Sequence, residues 1–406
     1  MPTPLSPSEQ AIRDAIAPRR DELIHDLGAH VAIPTGHNHT PGLDEYRAVV
    51  VTRLQALGAS VETVPGEPRP EWMGASKGAI PHTVILRSEA AQRAAPGAMR
   101  ILIAGHLDTV FPPDGDFTQM MCSVDGRTAK GPGVVDMKGG VLIAIAALEA
   151  LHACGVEVAW TAMFNSDEET GSYHSDSALR AEAPKHDLGI AVEPALAGGE
   201  LAIERYGSGQ FIIEAHGRSA HVGREFEKGV SAVHALAKAI DKACDIADPA
   251  KQRIVSVGPL EGGKATNVVP DLARAWGNAR YPTPEIGREI GAALDALATP
   301  EDAMPRVIVR RSFNRPAKPL IPATERLALA ARDAAESLGQ RLPFASTGGV
   351  CDGNILQDAG LPTVDTLGVR GGGLHTTEEW IELDSLVERA TLLGVLLARL
   401  SRSAVR

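Results

Sequence analysis

Cysteine is scarce in this chain of 406 residues: Cys122, Cys154, Cys244 and Cys351 stand far apart, and no two form a C-x-x-C pair. Such spacing supports neither a disulfide framework nor a thiolate zinc site, and the four are read as reduced thiols. Long apolar runs are missing too. No stretch reaches the roughly 18 uninterrupted apolar residues of a membrane span. The opening "MPTPLSPSEQ" lacks a basic segment followed by an apolar one, so no secretory signal is expected and a cytoplasmic location is. Positive charge is outnumbered, with 40 Lys and Arg against 51 Asp and Glu and a net charge of −11. Nucleic acid and membrane surfaces both call for a concentrated positive footprint, so neither is expected as a partner. Repeats and low-complexity tracts are absent as well. The glycine-rich "AKGPGVVDMKGG" lacks G-x-x-x-x-G-K-[ST] and a regular G-x-G-x-x-G after a strand, so its likeness to a phosphate cradle is superficial.

What is present is an ordinary soluble composition, 44% hydrophobic and 22% charged, and a length that suggests about two domains. Apolar spacing predicts a helix over 7–32, through Ile12, Ile16, Leu23 and Leu27, and a second over 43–57. Short β-like runs follow ("ASVETV", "HTVILRS", "RILIAG", "VEVAWTAMF"). They alternate with helices such as "GGVLIAIAALEALHACG", which Gly155 can end in the left-handed conformation. Strands separated by helices, some of them continuously apolar, predict an α/β domain with a mostly buried sheet. After about residue 197 the order becomes β-α-β-β-α-β, the split unit of ferredoxin-like domains. Helix and strand alternation resumes near 314, with helices expected near 323–338 and 384–402.

The polar residues gather at the ends of these runs. "ILIAGHLDTV" ends in His106 and Asp108, which strand alternation puts on one side. A metal-bound imidazole often gives its other N–H to a carboxylate, and His-x-Asp supplies both; a plain His–Asp hydrogen bond is the alternative. Asp136 stands between two glycine-rich stretches, where it suits a ligand or a helix N-cap. "FNSDEETGS" sets Asp167, Glu168 and Glu169 side by side, which a cation could hold together and which a solvated turn would also explain. "LGIAVEP" delivers Glu193, and "GVRGGGLHTTEEW" offers His375. Together the histidines and carboxylates suit one or two divalent ions with N/O ligands.

The series "GHLDTV", "GPGVVDMKGG", "SDEETGS", "VEP" and "GLHTTEEW", with an insertion between the last two, resembles the M20 family of metallopeptidases and deacylases. The likeness spans roughly residues 8 to 400. It implies a zinc-peptidase-like α/β/α catalytic domain over 1–197 and 313–406, and an inserted ferredoxin-like α+β dimerisation (lid) domain over 198–312. It also implies that Asp136 bridges two divalent ions, zinc or else cobalt or manganese, with His106 and Glu193 completing one site and Glu169 and His375 the other. Glu168 would be the general base, and Asp108 would orient His106 and touch only its imidazole. A cis peptide at Asp136–Met137 is implied, and a homodimer in which His221 reaches the partner's site to stabilise an oxyanion. Asn267 and Arg280 match family positions that contact substrate. Arg315 is a further candidate, read equally well as a surface arginine.

The activity implied is hydrolysis of an amide in a peptide or N-acyl amino acid, either carboxypeptidase-like or as an acetylornithine-deacetylase-like deacylase. A non-catalytic metal-binding homologue would be expected to have lost a ligand or Glu168, and all are present. Two positions depart from the pattern. Cys351 replaces a small hydroxyl residue and is read as a structural or pocket-lining thiol. Leu201 stands where glutamate carboxypeptidases carry a lysine.

Overall fold

Ile101, Leu102, Ile103 and Ala104 are all buried, because their strand has packing on both faces. Ile101 and Ile103 belong to one apolar core, and Leu102 and Ala104 to another on the opposite side of the sheet. The computed structural model describes residues 2–36, 39–74, 78–93 and 97–402.

The strand Arg100–His106 lies inside a six-stranded sheet whose order is Ser60–Val64, Thr83–Arg87, Ala159–Asn165, Arg100–His106, Leu188–Ala191, Thr363–Val364. The last four are mutually parallel, and Thr83–Arg87 runs antiparallel to its neighbours. Helices cover both faces, which parallel strands require. The helix Lys138–Ala153 is buried almost all round, packed by Pro7–Ile16, Arg20–Val31, Thr40–Gln55 and Asp384–Arg402. Asp176–Glu182 and Asp352–Asp358 close the other side.

Most expected elements appear within a few residues of their predicted bounds, Gly155 among them at φ +64° after the helix it ends. The helix expected over 7–32 is corrected. It breaks into Pro7–Ile16, a 3-10 turn Ala17–Arg19 and Arg20–Val31. Pro18 sits in that turn, has no N–H to continue the ladder, and its ring clashes with the preceding turn. Apolar spacing runs on through the break because Ile12 and Ile16 of the first helix and Leu23 and Leu27 of the second all enter one core.

Contacts divide the chain into two compact units. One comprises Met1–Glu204, Leu320–Ser346 and Cys351–Arg406; the other comprises Arg205–Pro319 and Thr347–Val350. The second unit carries an antiparallel sheet in the order Ile254–Gly262, Leu272–Tyr281, Gly207–His216, Arg306–Arg315. Its core takes Phe211, Ile213, Ala273, Ala275 and Ala279 from the sheet, and Leu236, Ala239, Ile290 and Leu294 from the helices Ala232–Cys244 and Pro284–Asp295. That is the β-α-β-β-α-β order predicted from the sequence. Among the described residues, no helix is long and apolar enough to cross a membrane.

Candidate active site

Three neighbouring parallel strands of the first unit end side by side. Ala159–Asn165 runs into Asp167, Glu168 and Glu169; Arg100–His106 ends on His106; Leu188–Ala191 leads to Glu193. Ligands of open α/β sheets bind at such carboxyl ends. Asp136 comes from the turn before the helix Lys138–Ala153, after the cis peptide Asp136–Met137 is counted as part of that turn. Met137 occupies the N-cap position, so the N-cap alternative for Asp136 does not hold. Its carboxylate is turned instead toward two histidines.

His106 Nε2 lies 3.2 Å from Asp136 Oδ1 and 4.0 Å from Glu193 Oε2. His375 Nε2 lies 3.5 Å from Asp136 Oδ2 and 3.1 Å from Glu169 Oε2. Two clusters able to hold a cation therefore share one carboxylate: His106, Asp136 and Glu193, and Asp136, Glu169 and His375. In each, one donor atom per residue lies within 4.8 Å of the others. Imidazole nitrogen and carboxylate oxygen at this spacing suit a divalent transition ion.

Groups this close shift one another's protonation. Burial alone would raise the Asp136 carboxyl, but hydrogen bonds with His106 and His375 hold it below the usual carboxylate range. Asp136 and Glu169 push the His375 imidazole up to about 10. His106, despite burial, is held well above its ordinary value by Asp108 and Asp136. Burial, then the Asp136 charge, raises Glu169.

Asp108 does more than expected. His106 Nδ1 is 3.0 Å from its main-chain carbonyl and 3.4 Å from its carboxylate. The carboxylate also accepts the N–H groups of Glu168 at 3.1 Å and Glu169 at 2.9 Å. The expectation that Asp108 touches only the imidazole is thus corrected. A buried carboxylate has more lone pairs than one imidazole can satisfy, and the turn at Glu168 supplies the rest. Glu168 is itself buried, 7% exposed. Asp167, its neighbour, points elsewhere and accepts the N–H of His174 at 2.6 Å.

Sequence reading overlooked two groups here. Lys138 is fully buried and donates to the carbonyls of His30 at 2.9 Å and Ile33 at 2.6 Å. Glu379, four residues after His375, is 1% exposed and accepts main-chain N–H groups from the Asp136 turn. Burial raises the Glu379 carboxyl to about 7 although those N–H groups favour its charged form. Both residues lie inside quoted motifs, but nothing in the spacing shows where a long side chain ends.

The remaining candidates lie in the second unit and form two pairs. Val222 N donates to Asn267 O at 3.0 Å, and His221 bridges to Val268, which brings exposed His221 and Asn267 together. Arg280 and Arg315 both stand opposite Ser208, on the strands either side of it. Burial, and then the charge of Arg315, lowers the Arg280 pKa. Arg280 Nε also donates to Asn278 Oδ1 at 3.0 Å. Leu201 is fully buried, and Cys351, 2% exposed, caps the helix Asp352–Asp358.

Donors of this kind, at strand ends beside a buried glutamate, suit metal-dependent hydrolysis. Residues 102–399 match the model described as Peptidase family M20/M25/M40, and the chain belongs to that family. It is 28% identical over 304 residues to carboxypeptidase G2 of Pseudomonas sp., covering 72% of each chain. It is also 28% identical over 321 residues to a succinyl-diaminopimelate desuccinylase of Methylorubrum extorquens, covering 72% of this chain and 81% of that one. Among solved structures, a tripeptidase from Staphylococcus aureus superposes with a TM-score of 0.74 at 21% identity, over 95% of this chain and 99% of that one.

Proposed function

We propose that the protein removes a C-terminal amino acid from a peptide or peptide-like conjugate through a site for two divalent ions, with zinc the best fit to the donors. One observation carries this reading: Asp136 presents Oδ1 to His106 and Oδ2 to His375. A carboxylate so placed suits a bridge between two ions, with Glu193 and Glu169 completing the two sets. Cobalt and manganese share these ligand preferences. When bound, the ions supply Lewis acidity that polarises the amide carbonyl and acidifies an attacking water.

The chain supplies the rest. Glu168 takes the proton of the attacking water on its carboxylate and returns it to the leaving nitrogen. Asp108 holds the His106 tautomer and, through two N–H groups, the turn that carries Glu168 and Glu169. Arg280, with Arg315 beside it, grips the substrate carboxylate, since two guanidiniums offer paired donors to such an anion. His221 and Asn267 stabilise the oxyanion. Their reading as a contribution from a second subunit of a homodimer is supported by exposed apolar side chains on the same unit, among them Phe226 and Leu260. A cytoplasmic setting belongs to the same reading.

A second reading, N-acyl amino acid deacylation, is favoured by the desuccinylase relatives. Assay of N-peptidyl and N-acyl amino acids under added zinc or cobalt separates the two, and no turnover on either set would sink both. Glu168→Gln should keep its metal and lose about 10²- to 10⁴-fold in kcat. If activity survives that substitution, the base has been misassigned.

A further inference from the structure

Asp136 and His375 are 239 residues apart in sequence (375 − 136), yet each faces the same cluster. Asp136 lies on the turn after Thr128–Lys130, and His375 on the hairpin between Gly371–Gly372 and Trp380–Glu382. Trp380–Glu382 pairs with Thr128–Lys130, which sets the two segments edge to edge. Beyond that ladder, and beside the exposed Lys130–Glu378 pair, the buried side chain of Glu379 joins them. Glu379 Oε1 accepts the N–H of Val135 at 2.9 Å and of Asp136 at 3.1 Å, and Oε2 accepts that of Gly133 at 3.1 Å. Its own backbone is fixed on both sides, with Glu379 N donating to Thr376 O and Glu379 O accepting from Gly131 N. Gly133 has φ +72° and Gly373 φ +71°, conformations that glycine adopts without the cost of a Cβ.

We propose that Glu379 is a positioning residue of the metal centre, its carboxylate tying the Asp136 turn to the His375 hairpin so that both ligands meet at one ion. This rests on the reading of Asp136 and His375 as metal ligands. Buried main-chain N–H groups must find acceptors. Three converging donors call for an acceptor with two oxygens, and a carboxylate supplies it. Glutamine matches it in shape but turns an NH2 toward one of the donors. The turn then loses a bond where its position sets Asp136 relative to His375. Outer residues that orient ligands commonly change metal affinity by about 10- to 100-fold when replaced.

The test uses the full-length protein, stripped of metal and titrated with Co²⁺ under a competing chelator, with the visible absorption of bound cobalt as signal. Expected for Glu379→Gln is a circular dichroism spectrum like that of the wild type, and one of the two cobalt affinities weakened about 10-fold or more with an altered band. Its kcat at limiting cobalt should fall and recover when free cobalt is raised. Glu378→Gln, at an exposed neighbour paired with Lys130, should behave as wild type. Wild-type cobalt affinities and spectrum in folded Glu379→Gln overturn the proposal, and so does a lowered unfolding midpoint with metal binding intact. If Glu379→Gln does not fold, Glu379→Asp, which keeps the charge but is one methylene shorter, is judged by the same criteria. Failure of the underlying reading looks different: His375→Ala would then bind cobalt as the wild type does.

Discussion

His30 should be uncharged in the folded protein. It is 4% exposed, its ring meets that of Tyr46 edge-on at 5.2 Å, and burial lowers its pKa from 6.5 to about 4. Between those values the unfolded chain carries a proton that the folded chain refuses. Stability from this group is therefore complete above about pH 6.5 and is lost progressively as pH falls toward 4, by about 3 kcal/mol in all at 1.36 kcal/mol per unit. Urea unfolding at pH 7 and pH 5 measures it. His30→Gln should flatten the difference by about 2 kcal/mol, and an unchanged difference would contradict the assignment. What was legible at this scale was residue type and place. His106, Glu169 and Glu193 stand out because charged groups at the ends of apolar runs are costly without a purpose. The oxygen of Asp136 that each histidine meets, and the N–H groups held by Asp108 and Glu379, depend on rotamers and loop closures that no local pattern encodes.

Elements were easier to read than loops, because apolar period reports burial directly. Strand and helix in the second unit followed from it, and the near-complete burial of Lys138–Ala153 agrees with its unbroken apolar run from Gly139 to Leu148. The break at Pro18 was the exception, since a period of apolar residues continues across it. Close approach between elements was not legible at all. A Cβ on Gly140 would lie 2.0 Å from Val192 O, next to Glu193, whereas one on Gly155 would meet nothing within 4 Å. Two different penalties follow. Gly140→Ala should destabilise by about 1–3 kcal/mol through overpacking, outweighing the roughly 1 kcal/mol that alanine gains in a helix, and should weaken metal binding through Glu193. Gly155→Ala should cost about 1 kcal/mol from its φ of +64° alone and leave metal binding unchanged. Thermal unfolding and metal titration of the two variants check this, and a neutral Gly140→Ala would count against the tight helix-to-strand contact.

At the scale of the whole molecule, the second unit's sheet raises a geometric question about the four proposed substrate contacts. Ser208, flanked by Arg280 and Arg315, and His216, next to the segment of His221, mark opposite ends of Gly207–His216. Eight residue steps at roughly 3.4 Å each separate them by about 27 Å. A substrate of one or two residues cannot span that length, so if all four contact one substrate they belong to two chains. A shared site has a signature that one-chain sites lack. Mixing His221→Ala with Glu168→Gln chains gives heterodimers in which one site has both residues intact and the other has neither. With random pairing, about half of the dimers are mixed and each has one working site, so activity should recover to roughly a quarter of wild type. Sedimentation should show a dimer throughout. Activity no greater than the sum of the two parents, with subunit exchange verified, would place His221 and Glu168 in the same chain's site or leave His221 without a part in it.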